Sequence, residues 1–173
     1  SGSKSSATIK ESRGSFLVGL DINTERGQRS LKYERIMLDR IKNSFSVDLV
    51  ETDKSMDAKV DGLVLKDGQL MGIFESKCRD MNYVQFQQHK SWLVTFDILL
   101  DGKKLSQMLR VPFLGFLYLI PDQMIFYWKI TDETGEFNFD FKVRKTKTQK
   151  TINGGEAIRV NAYLPNEYAS EIT

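Results

Sequence analysis

The sequence predicts a mixed α/β fold in which helices flank a central sheet. Apolar residues of the segment 30–45 recur on one helical face, namely Leu31, Leu38, Ile41 and Phe45. Two apolar runs follow and are joined by Asp67-Gly68, a dipeptide that favours a hairpin turn. A second helical stretch and further strands come after this hairpin. Such an order is typical of a sheet with helices packed against it.

The N-terminal half is predicted to contain one helix, one strand and the hairpin. The helix covers residues 30–45 with Ser30 as its cap, and Thr24 offers an alternative, earlier start. Residues 46–52 alternate apolar and polar side chains, which indicates a strand. Residues 53–58 are polar and are interpreted as a loop.

The second half is predicted to begin with a helix over residues 83–99, because Trp92, Phe96 and Leu99 share one helical face. Residues 113–120 and 124–130 are expected to pair as strands. Alternating phenylalanines predict a strand over residues 136–143. A turn at residues 153–155 and a short strand at residues 158–160 complete the chain.

The length of 173 residues predicts a single domain over residues 15–173. Its core is expected at about residues 24–130, with a C-terminal extension of extra strands over residues 131–173. Residues 1–14 are interpreted as a flexible tail, of which Ser1-Gly2-Ser3 resembles a remnant of an expression tag. No apolar run approaches the roughly 18 residues that span a bilayer, so no membrane partner is expected.

A single cysteine, Cys78, excludes an intrachain disulfide and favours an intracellular setting, either cytoplasmic or nucleoid-associated. The chain also has a single histidine, His89, so zinc fingers and His/Cys metal clusters are excluded. A basic run without acids contains Lys142, Arg144, Lys145, Lys147 and Lys150. Such a run can contact phosphates, and the alternative interpretation is a solvated loop that binds no ligand.

Three charged residues lie in the otherwise apolar hairpin: Asp61, Glu75 and Lys77. Buried carboxylates are usually paired or coordinate a metal, and two carboxylates with a lysine could bind a divalent cation and activate water. Glu75 and Lys77 project from the same face of their strand. A three-residue loop would bring Asp61 to that face, whereas a two-residue loop would turn it away.

Two further polar residues are candidates for the same site. Glu34 lies within the apolar stripe of the first predicted helix, so its carboxylate is expected to face inward. Glu25 is the alternative, although it falls roughly on the opposite helix face. Gln88 would direct its amide toward the site if the second helix begins close to the strand that carries Glu75.

Together these residues resemble the PD-(D/E)XK nuclease superfamily, and within it the archaeal Holliday-junction resolvases. The similar pieces are Asp61, the turn Leu65-Lys66-Asp67-Gly68, the stretch Glu75-Ser76-Lys77-Cys78-Arg79-Asp80, Tyr83-Val84, Glu34 and Gln88. They cover about a third of the chain. Val60 stands where the superfamily commonly has proline, and the chain beyond Ile130 matches no part of the pattern.

The resemblance implies a restriction-endonuclease-like αβββαβ core and hydrolysis of phosphodiester bonds in DNA with Mg²⁺ or Mn²⁺. Asp61, Glu75 and Glu34 would bind the metal, Lys77 would position water, and Gln88 would complete the site. The basic run, together with Arg79, would clamp the DNA backbone. We expect an endonuclease on branched or structured DNA that forms a homodimer. The alternatives are a restriction or defence endonuclease on duplex DNA, and a non-catalytic nucleic-acid-binding module.

Overall fold

Among the described residues, a long helix precedes the strands. In this computed structural model, the described residues are 24–53, 58–147, 155 and 157–173. Helix α1 covers Glu25–Phe45, and the Thr24 side chain caps it by accepting a hydrogen bond from the Gly27 N–H at 3.0 Å. The earlier start at Thr24 is therefore correct, and the start at Ser30 is wrong. The predicted N-terminal tail, residues 1–14, lies outside the described residues.

Six strands form the large sheet, in the order β1-β2-β3-β5-β6-β9. Their bounds are β1 Asp48–Glu51, β2 Gly62–Lys66, β3 Gln69–Arg79, β5 Phe113–Leu119, β6 Met124–Lys129 and β9 Ser170–Ile172. All neighbouring pairs are antiparallel except β3 and β5, which run parallel. The protein is therefore α/β with a mixed sheet. The predicted strand at residues 46–52 and the pairing of residues 113–120 with 124–130 are confirmed.

A second sheet of three strands has the order β4-β8-β7. Its strands are β4 Ser91–Thr95, β7 Lys142–Lys147 and β8 Ile158–Pro165. The predicted short strand at residues 158–160 is therefore the start of a longer one. Of the predicted turn at residues 153–155, only Gly155 belongs to the described residues. Strand β8 pairs with β4, and β9 joins the large sheet. The C-terminal extension is thus built into both sheets.

The predicted helix over residues 83–99 is wrong as one continuous helix, although its first and last parts are helical. Helix α2 covers only Tyr83–His89 and ends at Lys90, whose φ of 61° lies in the left-handed region. Strand β4 follows, and helix α3 covers Phe96–Leu109. Trp92 and Val94 are buried in β4, which pairs with β8. Pairing with a distant strand therefore overrides the helical spacing of the apolar residues.

The predicted strand over residues 136–143 is also wrong for most of its length. Only an isolated bridge between Thr131 and Phe137 forms there, and β7 begins at Lys142. The phenylalanines contact other rings instead: Phe137 packs edge-on against Phe141 at 5.0 Å between centroids, and Phe139 stacks on Tyr168 at 4.7 Å. Their alternation reflects aromatic packing rather than strand pairing.

Each face of the large sheet has its own apolar core. On one face, α1 buries Met37, Leu38 and Ile41 against Phe74 and Phe116. The other face packs against α2, α3 and the second sheet through residues that include Ile73, Phe86, Trp92, Leu99 and Leu164. Among the described residues, no helix is long and apolar enough to cross a membrane.

Candidate functional site

Strand β3 carries different chemistry on its two faces. Phe74 lies in the core beneath α1, whereas its neighbour Ile73 lies in the opposite core. Because side chains alternate along a strand, Phe74, Ser76 and Cys78 form the α1 face of β3, and Glu75, Lys77 and Arg79 form its charged face. Glu75 and Lys77 therefore lie on the side away from α1, facing the side of α2, α3 and the second sheet.

Glu75 and Lys77 form a buried ion pair on the charged face. The Lys77 Nζ lies 3.4 Å from the Glu75 Oε1, and the two side chains are 13% and 2% exposed. An ion pair that is shielded from water interacts more strongly than an exposed one. The predicted proximity of Glu75 and Lys77 is confirmed.

Asp61 is fixed beside β3 by hydrogen bonds from both its side chain and its backbone. Its Oδ2 accepts the backbone N–H of Ser76 at 2.9 Å, so the carboxylate reaches β3 between Glu75 and Lys77. The Asp61 N–H donates to the Phe74 carbonyl at 2.9 Å. On the other side, the Thr52 hydroxyl donates to the carbonyls of Val60 and Asp61 at 2.8 and 3.0 Å. Sequence reasoning missed Thr52 because only the fold brings it to Asp61.

A register shift explains how Asp61 reaches β3 although the hairpin loop has two residues. Asp67 and Gly68 both have positive φ, 51° and 77°, which suits a tight two-residue turn. Such a loop was expected to turn Asp61 away. The pairing shifts by one residue between Val64 and Leu65, so that Gly62 lies opposite Phe74. This irregularity reverses the expected orientation, and the expectation for a two-residue loop is therefore wrong here.

Gly62 allows the close approach of strands next to Asp61. A Cβ atom at this position would lie 2.5 Å from the Val50 carbonyl oxygen and 2.6 Å from the Phe74 ring. Real Cβ atoms do not tolerate such distances, so any larger residue would push β2 away from its neighbours. The sequence Asp61-Gly62 thus combines a candidate ligand with the small residue that the adjacent packing requires.

Arg79 extends the charged face toward the end of β3. Its guanidinium donates to the Cys78 carbonyl at 3.1 Å. Burial lowers the pKa of Arg79, while the Cys78 thiol and the Glu75 carboxylate act in the opposite direction. Arginine keeps its positive charge in proteins even after such a shift. The charged face therefore presents a carboxylate and two cations in order along one strand.

Glu34 lies on the other side of the large sheet. It lines a groove of about 430 Å³ between α1 and β1, together with Leu38, Leu49 and Glu51. Leu38 and Leu49 belong to the core beneath α1, on the side of Phe74 rather than of Glu75. The structure therefore does not bring Glu34 to Asp61, Glu75 and Lys77. The apolar stripe around Glu34 indicated that its side chain points toward the core. It did not indicate on which side of the sheet the helix packs.

Gln88 lies on the same side of the sheet as the charged face but is exposed. Helix α2 begins four residues after the end of β3, as the prediction required, and buries Phe86. Phe86 stacks on Phe126 at 4.7 Å between centroids. Gln88 and His89 are both exposed near the end of this short helix. The structure thus gives α2 a clear packing role through Phe86.

The basic run forms strand β7 at the edge of the second sheet. Lys142, Arg144, Lys145 and Lys147 are all exposed on it. Lys142 and Arg144 share one face, and Lys145 and Lys147 share the other. Lys150 lies outside the described residues. The alternative interpretation of this run as a loop is therefore wrong for residues 142–147.

Within the described part of the chain, no group of three or more His, Cys, Asp or Glu side chains is placed to hold a metal ion. The predicted three-carboxylate set of Asp61, Glu75 and Glu34 is thus not assembled, because Glu34 lies across the sheet. Asp61, which directly precedes β2, and Glu75 on β3 remain as a pair of carboxylates. One or two carboxylates are sufficient for Mg²⁺, which keeps several waters and takes further oxygens from substrate phosphates.

In comparisons with known proteins, no family model, curated protein or solved structure matches this chain.

Proposed function

We propose that this protein is a nuclease that hydrolyses phosphodiester bonds in DNA with the help of Mg²⁺ or Mn²⁺. The observation that carries the proposal is the hydrogen bond from the Ser76 N–H to the Asp61 carboxylate. It fixes this carboxylate beside the strand that bears Glu75 and Lys77, whose charged groups lie 3.4 Å apart. A third charged group, the Asp61 carboxylate, thus lies against the strand that carries the Glu75–Lys77 ion pair.

The order of elements supports the same proposal. Helix α1, the antiparallel strands β1, β2 and β3, the helices α2 and α3, and the strand β5 parallel to β3 follow each other along the chain. A restriction-endonuclease-like αβββαβ core has this order, and β4 and α3 would be insertions into it. We therefore propose membership of the PD-(D/E)XK superfamily.

In the proposed reaction, Asp61 and Glu75 would hold the divalent ion, which supplies Lewis acidity toward the phosphate. Lys77 would orient the attacking water and stabilise negative charge on the phosphate oxygens. The water oxygen would bond to phosphorus as the bond to the leaving oxygen breaks, and the proton that the water loses would pass through solvent to the leaving oxygen. The burial of the Glu75–Lys77 pair strengthens these electrostatic interactions.

The test is a cleavage assay on linear duplex, single-stranded, flap and four-way-junction DNA, with Mg²⁺, Mn²⁺ or EDTA. We expect cleavage that requires the metal, with branched or structured DNA preferred. Lys77→Ala and Asp61→Asn should each lower the rate at least about 100-fold. Lys66→Ala is the matched control, because Lys66 is exposed at the end of the neighbouring strand β2. It should retain the wild-type rate.

A metal titration separates the roles of these residues. By calorimetry with Mn²⁺, Asp61→Asn should weaken binding, whereas Lys77→Ala should not, because lysine is not a ligand for a hard cation. If none of these DNAs is cleaved but DNA is still bound, the protein is a non-catalytic nucleic-acid-binding module and not a nuclease. Defined fragments from plain duplex would instead favour a restriction or defence enzyme.

A further inference from the structure

A cavity of about 950 Å³ adjoins the charged face where β3 ends. Its wall includes residues at the end of β3, in α2, in the strands β4, β5, β7 and β8, and in the segments that join them. This volume lies in the upper part of the range for small-molecule and cofactor pockets. The cavity is therefore large enough to take a group as large as a nucleotide.

The cavity is positively charged. Four of its lining side chains are cationic, Arg79, Lys90, Lys142 and Arg144, whereas Asp140 is the single carboxylate among them. Arg79 comes from the charged face and is separated from Lys77 by one residue, or roughly 7 Å along the strand. A negatively charged chain lying over Lys77 would thus reach the cavity within a short distance.

Aromatic rings form much of the remaining wall, through Phe86, Trp92, Phe141 and Tyr163. The Arg144 guanidinium lies over the Tyr163 ring, 5.7 Å from its centroid. Tyr163 is opposite Lys142 in the register of β8 with β7, so one ring and two cations are neighbours on the same sheet face. Such a combination suits a ligand that has both a planar ring and a phosphate.

We propose that this cavity binds an unpaired nucleotide of the DNA substrate. The base would lie against the aromatic wall, and the adjoining phosphates would contact Arg79, Lys142 and Arg144. A base inside a duplex is stacked between its neighbours and cannot enter such a pocket unless it leaves the helix. The inference rests on the proposed function, because it takes DNA as the substrate. It narrows the substrate to DNA with unpaired nucleotides beside the cleavage site.

Equilibrium binding in EDTA tests the cavity without any cleavage. Fluorescence anisotropy would compare a labelled oligothymidylate of about 12 nucleotides with an abasic oligomer and a blunt duplex of equal length. The wild-type protein should bind the oligothymidylate about tenfold more tightly than either of the others. Equal affinity for the abasic oligomer or for the blunt duplex would overturn the proposal.

Strand β7 offers a matched pair of variants. The Lys142→Ala/Arg144→Ala variant removes two cations from the cavity, and Lys145→Ala/Lys147→Ala removes two exposed cations of the same strand that lie on its other face. The first should weaken oligothymidylate binding about tenfold, and the second, which removes charge of the basic run outside the cavity, should weaken it less, by about threefold. Equal losses in both would show general attraction to phosphate and would overturn the proposal.

Tyr163→Leu tests the ring separately from the charge. It should weaken binding of the oligothymidylate but leave the abasic oligomer unaffected, because only the former presents a base. An unchanged affinity for the oligothymidylate would contradict the proposal. Free thymidine monophosphate should not displace the oligothymidylate at equal nucleotide concentration. If it did, the cavity would bind a free nucleotide, and the proposal would be overturned.

These outcomes are distinct from those of the cleavage assay. Suppose that Lys77→Ala loses cleavage but the β7 and Tyr163 variants bind DNA as wild type does. The nuclease proposal would then be supported, and the cavity proposal would be contradicted. If the protein cuts no DNA but shows the expected binding pattern, the cavity is a binding site for single-stranded DNA, and the nuclease proposal is contradicted.

Discussion

The two faces of β3 differ in how they are stabilised. The α1 face is covered by a helix of 21 residues and is apolar around Phe74, whereas the charged face carries a buried ion pair and adjoins a cavity. A helix of seven residues, α2, is among the elements that cover this second face. One strand thus anchors the fold on one side and presents charged groups on the other. Substitutions on the two faces should therefore affect stability and function differently.

The largest loss of stability is expected on the α1 face. Phe74 is completely buried and packs edge-on against Phe116 at 5.7 Å between ring centroids. Phe74→Ala should lower the free energy of unfolding by about 3–5 kcal/mol, because it removes buried apolar surface and leaves a cavity. Met71→Ala on the same strand, where Met71 is 48% exposed, is the control and should change it by less than about 0.5 kcal/mol.

Chemical denaturation of both variants measures this difference. A loss for Phe74→Ala no greater than that for Met71→Ala would mean that the core beneath α1 does not dominate the stability of β3.

Removing Lys77 should cause the next largest loss of stability. The Lys77→Ala variant removes a cation from beside the buried Glu75 carboxylate, which should lower the free energy of unfolding by about 2–4 kcal/mol. Glu75→Gln removes the negative charge instead. In that variant, Lys77→Ala should lower the free energy of unfolding by a smaller amount, because no buried carboxylate is left without its cation. The coupling between the two substitutions should be at least about 1 kcal/mol. Denaturation of both single variants and the double variant measures it, and additive effects would contradict a direct ion pair.

Local patterns predicted the parts of the fold that local chemistry determines. The Asp67-Gly68 turn and the paired strands β5 and β6 depend on residues close in sequence, as does the helix start at Thr24, which was predicted only as the alternative to Ser30. Strand β4 was mistaken for part of a helix because its partner β8 lies about 70 residues away, and no local pattern reveals that pairing. The phenylalanines at 137, 139 and 141 gave a false strand signal because they pack against other aromatic rings and not within a sheet.

The candidate site was predictable to a similar extent. Strand alternation was enough to place Glu75 and Lys77 on one face. The position of Asp61 depends on the register shift at Val64 and Leu65, which cannot be inferred from loop length alone. The site thus combines a local pair with a residue whose placement depends on how two strands are aligned.

A smaller effect is expected where α2 begins, on the side of the charged face. Asn82 caps this helix: its side chain accepts the Gln85 N–H at 2.8 Å, and the Gln85 side chain accepts the Asn82 N–H at 2.9 Å. Asn82→Ala should lower the free energy of unfolding by about 1 kcal/mol. Val84→Ala, at a position 59% exposed, should have a lesser effect. If denaturation shows equal stability for Asn82→Ala and wild type, the cap contributes nothing to this side of the sheet.

The smallest effect on cleavage is expected for Glu34, and it gives the sharpest test of the difference between the two faces. Glu34 belongs to the resembled motif, but it lies in the groove between α1 and β1, across the sheet from Glu75. Glu34→Gln should therefore keep the cleavage rate and the Mn²⁺ affinity near wild type, whereas Asp61→Asn loses both. A loss in Glu34→Gln comparable to that in Asp61→Asn, with unchanged stability, would mean that α1 reaches the charged face during catalysis. The chemistry would then require both sides of β3.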